Sequence, residues 1–280
     1  MMLPYIYLNG EFVAADSGKL HVSDLAVLRG YGVFDYFRFA DGRPRFLDDH
    51  LDRLQHSVDG LHLNYQVRAG GMDGVVRELI ERNGRADGGI RIVVTGGLAD
   101  DGYTPVTPSV LALPYSFAAP DKRLYAEGCH CLLHPYERQL PRVKTIDYVE
   151  GIRIQPLLRA RGAEYPLYVD RSGNVRESDR SNYMIVKDGT LITPVDDILL
   201  GITRKHVLRL AVQLGIAVEE RAVHQEEIRQ ADEALICSSV KGVMPITRLD
   251  GASVGGGAAG ETTLRLMEGW SAYTKNYPDH

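Results

Sequence analysis

The chain has 280 residues, of which 44% are hydrophobic and 25% are charged, and its formal net charge is -5. This length and composition allow one or two sizeable hydrophobic cores, and no basic run builds the stripe expected of a nucleic-acid binder. No eighteen apolar residues run together, and the first ten residues lack the pattern of a secretory signal. We therefore expect a cytoplasmic protein without nucleic-acid or membrane partners.

The cysteine pattern predicts neither a disulfide framework nor a metal site. Cys129, Cys131 and Cys237 are an odd number, and the C-x-C pair lacks the spacing of a zinc knuckle or a thioredoxin-like site. We interpret all three as reduced thiols, and we expect no bound metal.

The first part of the chain predicts a small α+β domain over residues 1–115. It opens with a β-hairpin, because Asn9-Gly10 supplies the positive φ angles of a type I' turn. The elements that follow are a strand over 32–39, a helix over 48–61 capped by Asp48, a helix over 72–82, and strands over 90–95 and 109–114. A proline-bracketed connection at 116–121 then predicts an interdomain linker.

The second part, residues 122–280, predicts a larger domain with a mixed sheet and packed helices. Its predicted strands lie at 130–134, 165–170, 182–187, 218–222 and 233–237, and its predicted helices at 148–161 and 204–214. The helix over 204–214 has an apolar face, and Gly215 ends it.

Five segments contain residue types that suit catalysis or anion binding. They are residues 143–148 with Lys144, 174–182 with Glu177, 199–204 with Thr203, 237–242 with Ser239, and 46–54 with Arg53. In residues 199–204 a glycine precedes a helix, so that free backbone N–H groups can face an anion at the positive end of the helix dipole. Taken alone, each segment also fits a plain role: a solvated lysine, a charged hairpin, a threonine cap, a serine turn or a solvated helix arginine.

Together and in this order, the five segments resemble the fold-type IV pyridoxal 5'-phosphate (PLP) enzymes. These comprise branched-chain aminotransferases, D-amino acid aminotransferases and aminodeoxychorismate lyases. The most specific segments are Val-Arg-Glu-Ser-Asp-Arg-Ser-Asn, which ends at Asn182, and Leu-Gly-Ile-Thr-Arg, which ends at Arg204. The resemblance covers nearly the whole chain. It implies an α+β fold of two domains, a small α/β domain and a larger mixed-sheet domain, with the cofactor between them.

The resemblance also implies the role of each matched residue. Lys144 would form a Schiff base with the cofactor and move the proton between the substrate Cα and C4'. Glu177 would face the pyridine nitrogen and keep the ring an electron sink. The other implied cofactor contacts are Arg53, the N–H groups of Ile202 and Thr203, the Thr203 hydroxyl and Ser239 at the phosphate, Leu199 against the ring, and Tyr148, whose spacing from the lysine is one residue shorter than in branched-chain enzymes.

The substrate pocket is where the sequence departs from the family patterns. Branched-chain enzymes usually have Phe-Glu-Gly where this chain has Phe34-Asp35-Tyr36, and we expect Phe34 and Tyr36 to line the pocket. D-amino acid aminotransferases usually have an Arg-x-His pair that binds the substrate carboxylate, and the corresponding loop here, residues 96–102, has neither residue.

Two arginines could replace the missing carboxylate-binding pair. Arg29 precedes Gly-Tyr-Gly, and Arg91 lies in a strand between Ile90 and Ile92. A guanidinium is well suited to a bidentate carboxylate contact, although Arg91 also fits a solvent-facing strand position. With both arginines the sequence favours a non-standard D-amino acid aminotransferase.

The sequence is also compatible with other functions. An L-branched-chain aminotransferase is the second reading, an aminodeoxychorismate lyase is the third, and a cofactor-free binding protein conflicts with the presence of both Lys144 and Glu177. The resemblance further implies a homodimer, in which Arg29 or the loop near Gly102 would act across the interface.

Overall fold

The structure is a computed structural model that describes residues 1–277 of the chain. It contains two compact units. The first consists of Met1–Ala118 together with Val143–Asp147, and the second consists of Ala119–Arg142 together with Tyr148–Tyr277. The predicted domain boundaries, at 1–115, 116–121 and 122–280, stay a prediction; in the structure the segment Val143–Asp147 is grouped with the first unit. Residues 278–280 of the predicted second domain lie outside the described residues.

The first unit is an antiparallel sheet with helices. Its elements are β1 (Tyr5–Leu8), β2 (Glu11–Ala14), α1 (Leu25–Arg29), β3 (Gly32–Ala40), β4 (Arg43–Pro44), α2 (Leu47–Gly60), α3 (Met72–Asn83), β5 (Gly88–Thr95) and β6 (Val110–Tyr115). The strand order is β2-β1-β6-β5-β3-β4, and every neighbouring pair is antiparallel. The predicted hairpin is confirmed, since Leu8 pairs with Glu11 and both turn residues have positive φ.

The core of this unit lies between one face of the sheet and the two longer helices. Because strand residues alternate between faces, β3 buries Val33, Phe37 and Phe39 on the same side. Helix α2 contributes Leu51, Leu54 and Val58 to this cluster, and α3 contributes Met72, Val76 and Leu79. The predicted cap of α2 is wrong: Phe46, at φ 54°, occupies the N-cap without a side-chain hydrogen bond, and Asp48 lies in the first turn.

The second unit is built on a ten-stranded mixed sheet. Its strands are β7 (Cys129–Pro135), β8 (Tyr165–Val169), β9 (Asn174–Ser178), β10 (Asn182–Lys187), β11 (Thr190–Thr193), β12 (Ala217–Glu220), β13 (Val223–His224), β14 (Glu233–Ser238), β15 (Gly242–Leu249) and β16 (Ala252–Ser253). The order is β12-β11-β10-β14-β15-β7-β8-β9-β13, with β16 on β15. Three pairs, β11 with β12, β15 with β7 and β7 with β8, are parallel.

The helices of the second unit are α4 (Arg123–Ala126), α5 (Val149–Arg153), α6 (Gln155–Ala160), α7 (Ile202–Gln213), α8 (Gln225–Arg229) and α9 (Glu261–Asn276). The predicted helix over 148–161 is two short helices, because Pro156 lies at the start of α6 and a proline cannot continue the hydrogen-bond ladder of the preceding turn. Among residues 1–277, none of the helices combines the length and the apolar character that crossing a bilayer requires.

Candidate active site

The segment that contains Lys144 is attached to the beginning of β3. The N–H of Phe34 donates a hydrogen bond to the carbonyl of Lys144 at 2.9 Å, and the N–H of Ile146 donates to the carbonyl of Gly32 at 3.0 Å. From the other side, the N–H of Lys144 donates to the Ser57 hydroxyl on α2 at 3.1 Å. These three hydrogen bonds fix the backbone of Lys144 on both sides, which explains why this segment belongs to the first unit.

The Phe34 ring lies near two cations. The Lys144 ammonium is 4.6 Å from the ring centroid, and the Arg91 guanidinium carbon is 5.1 Å from it. Arg91 is also 5.9 Å from the Tyr115 ring. Its exposed position agrees with the strand alternation, but the surface it faces is aromatic. The lysine and the arginine therefore share one ring on the same face of the sheet.

Tyr36 lies on this face directly opposite Arg91. The two residues are paired in the register of β3 and β5. A Cβ at Gly89 would lie 2.0 Å from the Tyr36 hydroxyl, so only glycine leaves room for this ring. Burial raises the pKa of Tyr36, although the nearby Arg38 and Arg91 oppose the shift. Tyr36 is thus a neutral, half-buried hydroxyl beside an arginine.

The opposite face of β3 holds a buried ionic group. Asp35 is completely buried and accepts hydrogen bonds from Arg53 Nε and Nη2, each at 2.8 Å, and from His50 Nδ1 at 2.7 Å. Burial raises the pKa of Asp35, but Arg53 and His50 outweigh it and hold this pKa well below its usual range. Burial lowers the pKa of His50. Asp35 is therefore a carboxylate and His50 a neutral imidazole.

Glu177 is the corresponding buried carboxylate of the second unit. Its side chain lies at the end of β9 and is 7% exposed. Arg138 Nη1 donates to Oε1 at 2.9 Å, and the N–H of Leu199 donates to Oε2 at 3.1 Å. Burial opposes the charge of Arg138, yet the Glu177 carboxylate raises the pKa of this arginine. Both oxygens of Glu177 are held in a fixed orientation.

The N-terminus of α7 leaves backbone donors without side-chain caps. Gly201 is the N-cap and makes no side-chain hydrogen bond, and a Cβ there would lie 2.0 Å from the Asn182 amide oxygen. The first N–H groups of a helix have no partner within the helix, so those of Ile202 and Thr203 are available to an anion. The Thr203 side chain is buried. This end of α7 has the chemistry of a phosphate site.

Ser239 lies in the hairpin between β14 and β15, which also contains a buried lysine. The side chain of Ser239 is half-buried. Lys241 is 7% exposed; its ammonium donates to the Ser181 hydroxyl at 2.9 Å and lies 4.3 Å from the Tyr165 ring centroid. Burial lowers the pKa of Lys241 to about 8.

Tyr148 and Arg29 occupy the ends of short helices. Tyr148 is the N-cap residue of α5 and lies close enough to Arg138 to affect its pKa. Arg29 is exposed at the end of α1 and donates from Nε to the carbonyl of Gly102 at 3.1 Å. The structure therefore connects Arg29 to the loop near Gly102, whereas the residues beside Arg91 are Phe34, Tyr36 and Tyr115.

Sequence reasoning missed three residues of these clusters. Asp35 was considered only as a departure from a pocket pattern, although alternation with Val33 and Phe37 along β3 signals that it faces the core. His50 lies three residues before Arg53, and this spacing, which brings two side chains to one face of a helix, is the signal that could have indicated the group. Arg138 pairs with Glu177, which lies 39 residues later, and nothing local in the sequence indicates this pairing.

Comparison with known proteins identifies the family. The chain matches the family described as "Amino-transferase class IV" over residues 32–249, and it belongs to that family. Class IV aminotransferases use PLP, so the predicted cofactor is confirmed. The mixed α/β structure with two sheets confirms the predicted fold class.

The names of individual relatives indicate two different specificities. A putative branched-chain-amino-acid aminotransferase of Methanocaldococcus jannaschii is 32% identical over 94% of both chains. A D-alanine aminotransferase of Staphylococcus epidermidis is 30% identical over 97% of this chain and 98% of the relative. A branched-chain aminotransferase from Thermoproteus uzoniensis, solved with norvaline, is similar with a TM-score of 0.86 and 27% identity over 98% of this chain and 95% of that one.

Proposed function

We propose that this protein is a D-amino acid aminotransferase that transfers an amino group between a D-amino acid and a 2-keto acid with PLP as cofactor. The observation that carries the proposal is the position of Arg91 and Lys144 around one aromatic ring, with the guanidinium 5.1 Å and the ammonium 4.6 Å from the Phe34 centroid. An amine that reacts at the substrate Cα needs a carboxylate-binding group beside it, and arginine is well suited to that contact. The relatives named D-alanine aminotransferase support this reading.

The donors at the phosphate positions fit a phosphate ester. Arg53 uses Nε and Nη2 for Asp35, while its Nη1 makes no hydrogen bond to any residue in 1–277. The end of α7 offers the N–H groups of Ile202 and Thr203 and the Thr203 hydroxyl, and Ser239 offers a further hydroxyl. Each unit thus offers donors that suit an anion, a guanidinium in the first and a helix N-terminus with neutral hydroxyls in the second.

Glu177 and Leu199 fit the pyridine ring. When bound, PLP supplies an electron sink for the carbanion formed at the substrate Cα. Arg138 and the Leu199 N–H hold the Glu177 carboxylate in one orientation, and a carboxylate placed at the ring nitrogen favours its protonation. Leu199, with a buried side chain, provides an apolar surface for the ring. Tyr148, near Arg138, is the candidate donor to the phenolic oxygen.

Lys144 performs the proton transfer. With PLP bound, the Lys144 amine would hold the cofactor, and the same amine, when free, would take the proton from the substrate Cα. Its backbone is fixed by β3 and by Ser57, so only the side chain needs to move. The Phe34 ring, with its centroid 4.6 Å from the ammonium, covers one side of this amine.

The stereochemistry is proposed to follow from the side on which the carboxylate binds. Arg91 would bind the carboxylate beside Tyr36, and Arg29, together with the Gly102 loop that it contacts, would be the second arm. A carboxylate bound on this side would, under the proposal, turn the Cα proton of a D-amino acid toward the lysine.

A branched-chain aminotransferase is the second candidate, and the relative from Methanocaldococcus jannaschii favours it. The face of the sheet that holds Arg91 also holds Val93, Leu111 and Leu113, all half-buried. In that case these residues would contact an aliphatic side chain, and Arg91 would remain a surface residue.

The visible absorbance spectrum of the purified protein distinguishes these functions. D-alanine, D-glutamate, L-leucine and L-glutamate are each added without a keto acid, and we expect only the two D-amino acids to bleach the visible band. Bleaching by L-leucine alone would support the branched-chain candidate. A yellow protein inert to all four would favour a lyase, and a colourless protein that cannot be reconstituted would contradict the cofactor assignment.

We also propose a homodimer, as the family resemblance implies. Helix α5 presents Val149 and Ile152, which are 71% and 70% exposed, and such exposure of large apolar side chains is typical of an interface. Size-exclusion chromatography with light scattering at micromolar concentration tests this. A particle of about twice the 31.0 kDa chain mass is expected.

A further inference from the structure

We propose that Asp35 is a positioning residue for the cofactor phosphate, which acts by fixing the orientation of the Arg53 guanidinium. The inference rests on the proposed function, because it requires that Arg53 binds phosphate. Asp35 accepts from Arg53 Nε through Oδ2 and from Arg53 Nη2 through Oδ1, both at 2.8 Å. A guanidinium held by two nitrogens cannot rotate, so its third nitrogen, Nη1, points in one direction only.

Asp35 is itself prevented from turning. Its Oδ1 also accepts from His50 Nδ1 at 2.7 Å and from the N–H of Tyr36 at 2.7 Å. The side chains of Asp35 and His50 are 1% and 2% exposed, so water does not compete for these hydrogen bonds. The orientation of Arg53 is thereby determined by β3, the same strand to which the Lys144 segment is attached.

The two hydrogen bonds that Arg53 donates to Asp35 are here called the clamp. The clamp leaves Arg53 with one directed donor and little net charge. The side chain of Arg53 is 11% exposed, and Nη1 has no hydrogen-bond partner in residues 1–277. The Asp35 carboxylate neutralises the guanidinium, so Arg53 contributes a well-aimed hydrogen bond more than a free positive charge. Direction, and not charge alone, should therefore decide how strongly Arg53 favours a phosphate.

The relative affinity for PLP and for pyridoxal, which lacks the phosphate, measures this contribution. Both compounds are titrated into the cofactor-free full-length protein and followed by visible absorbance. Because a hydrogen bond to a charged group is worth roughly tenfold or more in affinity, we expect Asp35→Asn to lower the preference for PLP about tenfold while leaving pyridoxal binding within about threefold. A merely structural role would weaken both compounds equally.

A double-mutant comparison tests whether Asp35 acts through Arg53. We expect Arg53→Gln to lower the preference for PLP over pyridoxal at least as much as Asp35→Asn does. The double variant Asp35→Asn with Arg53→Gln should lower this preference no further than Arg53→Gln alone. Additive losses, or an unchanged preference in Asp35→Asn, would overturn the proposal. The matched control is Asp24→Asn, because Asp24 is equally buried in this unit but accepts hydrogen bonds from the hydroxyls of Thr95 and Ser109. This variant should keep the wild-type preference for PLP over pyridoxal.

Arg53→Lys keeps the proposal testable if Asp35→Asn does not fold. A lysine retains the charge but cannot be held by two nitrogens and present a third. We expect it to lose most of the preference for PLP, whereas retention of the full preference would contradict the clamp. The proposed function is tested separately with the wild-type protein. If the wild type binds neither PLP nor pyridoxal, or binds both equally, the proposed function is contradicted, and so is the role of Arg53 on which the clamp depends.

Discussion

Arg138 and Glu177 form a partly buried ion pair in the second unit, with Nη1 and Oε1 2.9 Å apart and side-chain exposures of 20% and 7%. Removing one partner of such a pair leaves the other charge without compensation, which costs more than the pair contributes. Under the proposed function, Arg138 would therefore help to hold the Glu177 carboxylate in place at the pyridine nitrogen.

Replacing Arg138 should therefore impair the reaction without removing any group that touches the substrate. For Arg138→Met we expect kcat/KM for the amino donor to fall by about 10- to 100-fold, since one charged hydrogen bond to Glu177 is lost. Steady-state kinetics with saturating PLP measure this. Arg142→Met is the control, because Arg142 is 40% exposed and lies 3.6 Å from Asp196; equal losses in both variants would contradict the assigned role.

The proposed carboxylate-binding role of Arg91 predicts a substrate effect separate from cofactor binding. For Arg91→Ala we expect KM for the D-amino acid to rise about tenfold or more, because a charged hydrogen-bond donor to the substrate is lost, with an unchanged visible spectrum. The control is Arg85→Ala at an exposed position of the same unit. Wild-type kinetics of Arg91→Ala would reject the arginine as a substrate ligand.

The ionic group around Asp35 predicts a pH-dependent contribution to stability. The folded pKa of Asp35 is below its unfolded value, so its stabilisation is complete above about pH 4 and is lost as the pH falls toward the folded pKa. The free energy of unfolding should be lower in Asp35→Asn than in the wild type at pH 7, by about 3 kcal/mol. This difference should shrink below pH 4 in urea titrations. A difference independent of pH would show that Asp35 acts through packing and not through its charge.

The charge of Lys241, unlike that of Asp35, is predicted to lower the free energy of unfolding. Its pKa is lowered from 10.5 to about 8 by burial, so below pH 8 the folded protein carries a buried charge that the unfolded chain carries in water. Wild-type stability should rise with pH between about 8 and 10.5, because the unfolded state still binds the proton that the folded state has released.

Lys241→Met should therefore be more stable than the wild type at pH 7, by about 1–3 kcal/mol, because an apolar residue of similar size replaces a buried cation. This advantage should decrease above pH 8 in the same urea titrations. A destabilised variant at pH 7 would mean that the contacts with Ser181 and Tyr165 outweigh the cost of burying the charge.

The features predicted best from the sequence depend on neighbouring residues. The turn at Asn9-Gly10 and the glycine before α7 were predicted because backbone conformation and helix-end chemistry are local properties. The break at Pro156 also had a local signal, which the apolar spacing of the two half-helices obscured.

The parts that could not be predicted depend on long-range pairing. Attachment of the Lys144 segment to β3 joins residues about 110 positions apart, and no periodicity in either segment indicates it. Predicting the contacts between Arg53 and Asp35 would have required knowing which face of α2 and which face of β3 point toward each other. Substrate specificity depends on such tertiary placement, so Arg91 could be proposed from the sequence but not distinguished from a surface arginine.

The configuration of the product distinguishes a D-amino acid aminotransferase from an L-specific enzyme. The purified protein, supplied with PLP, is incubated with D-alanine and 2-oxoglutarate, and the glutamate formed is resolved by chiral chromatography. We expect D-glutamate from the wild type and none from Lys144→Ala. Absence of glutamate with D-alanine, together with L-glutamate when L-leucine is the donor, would contradict the proposed function.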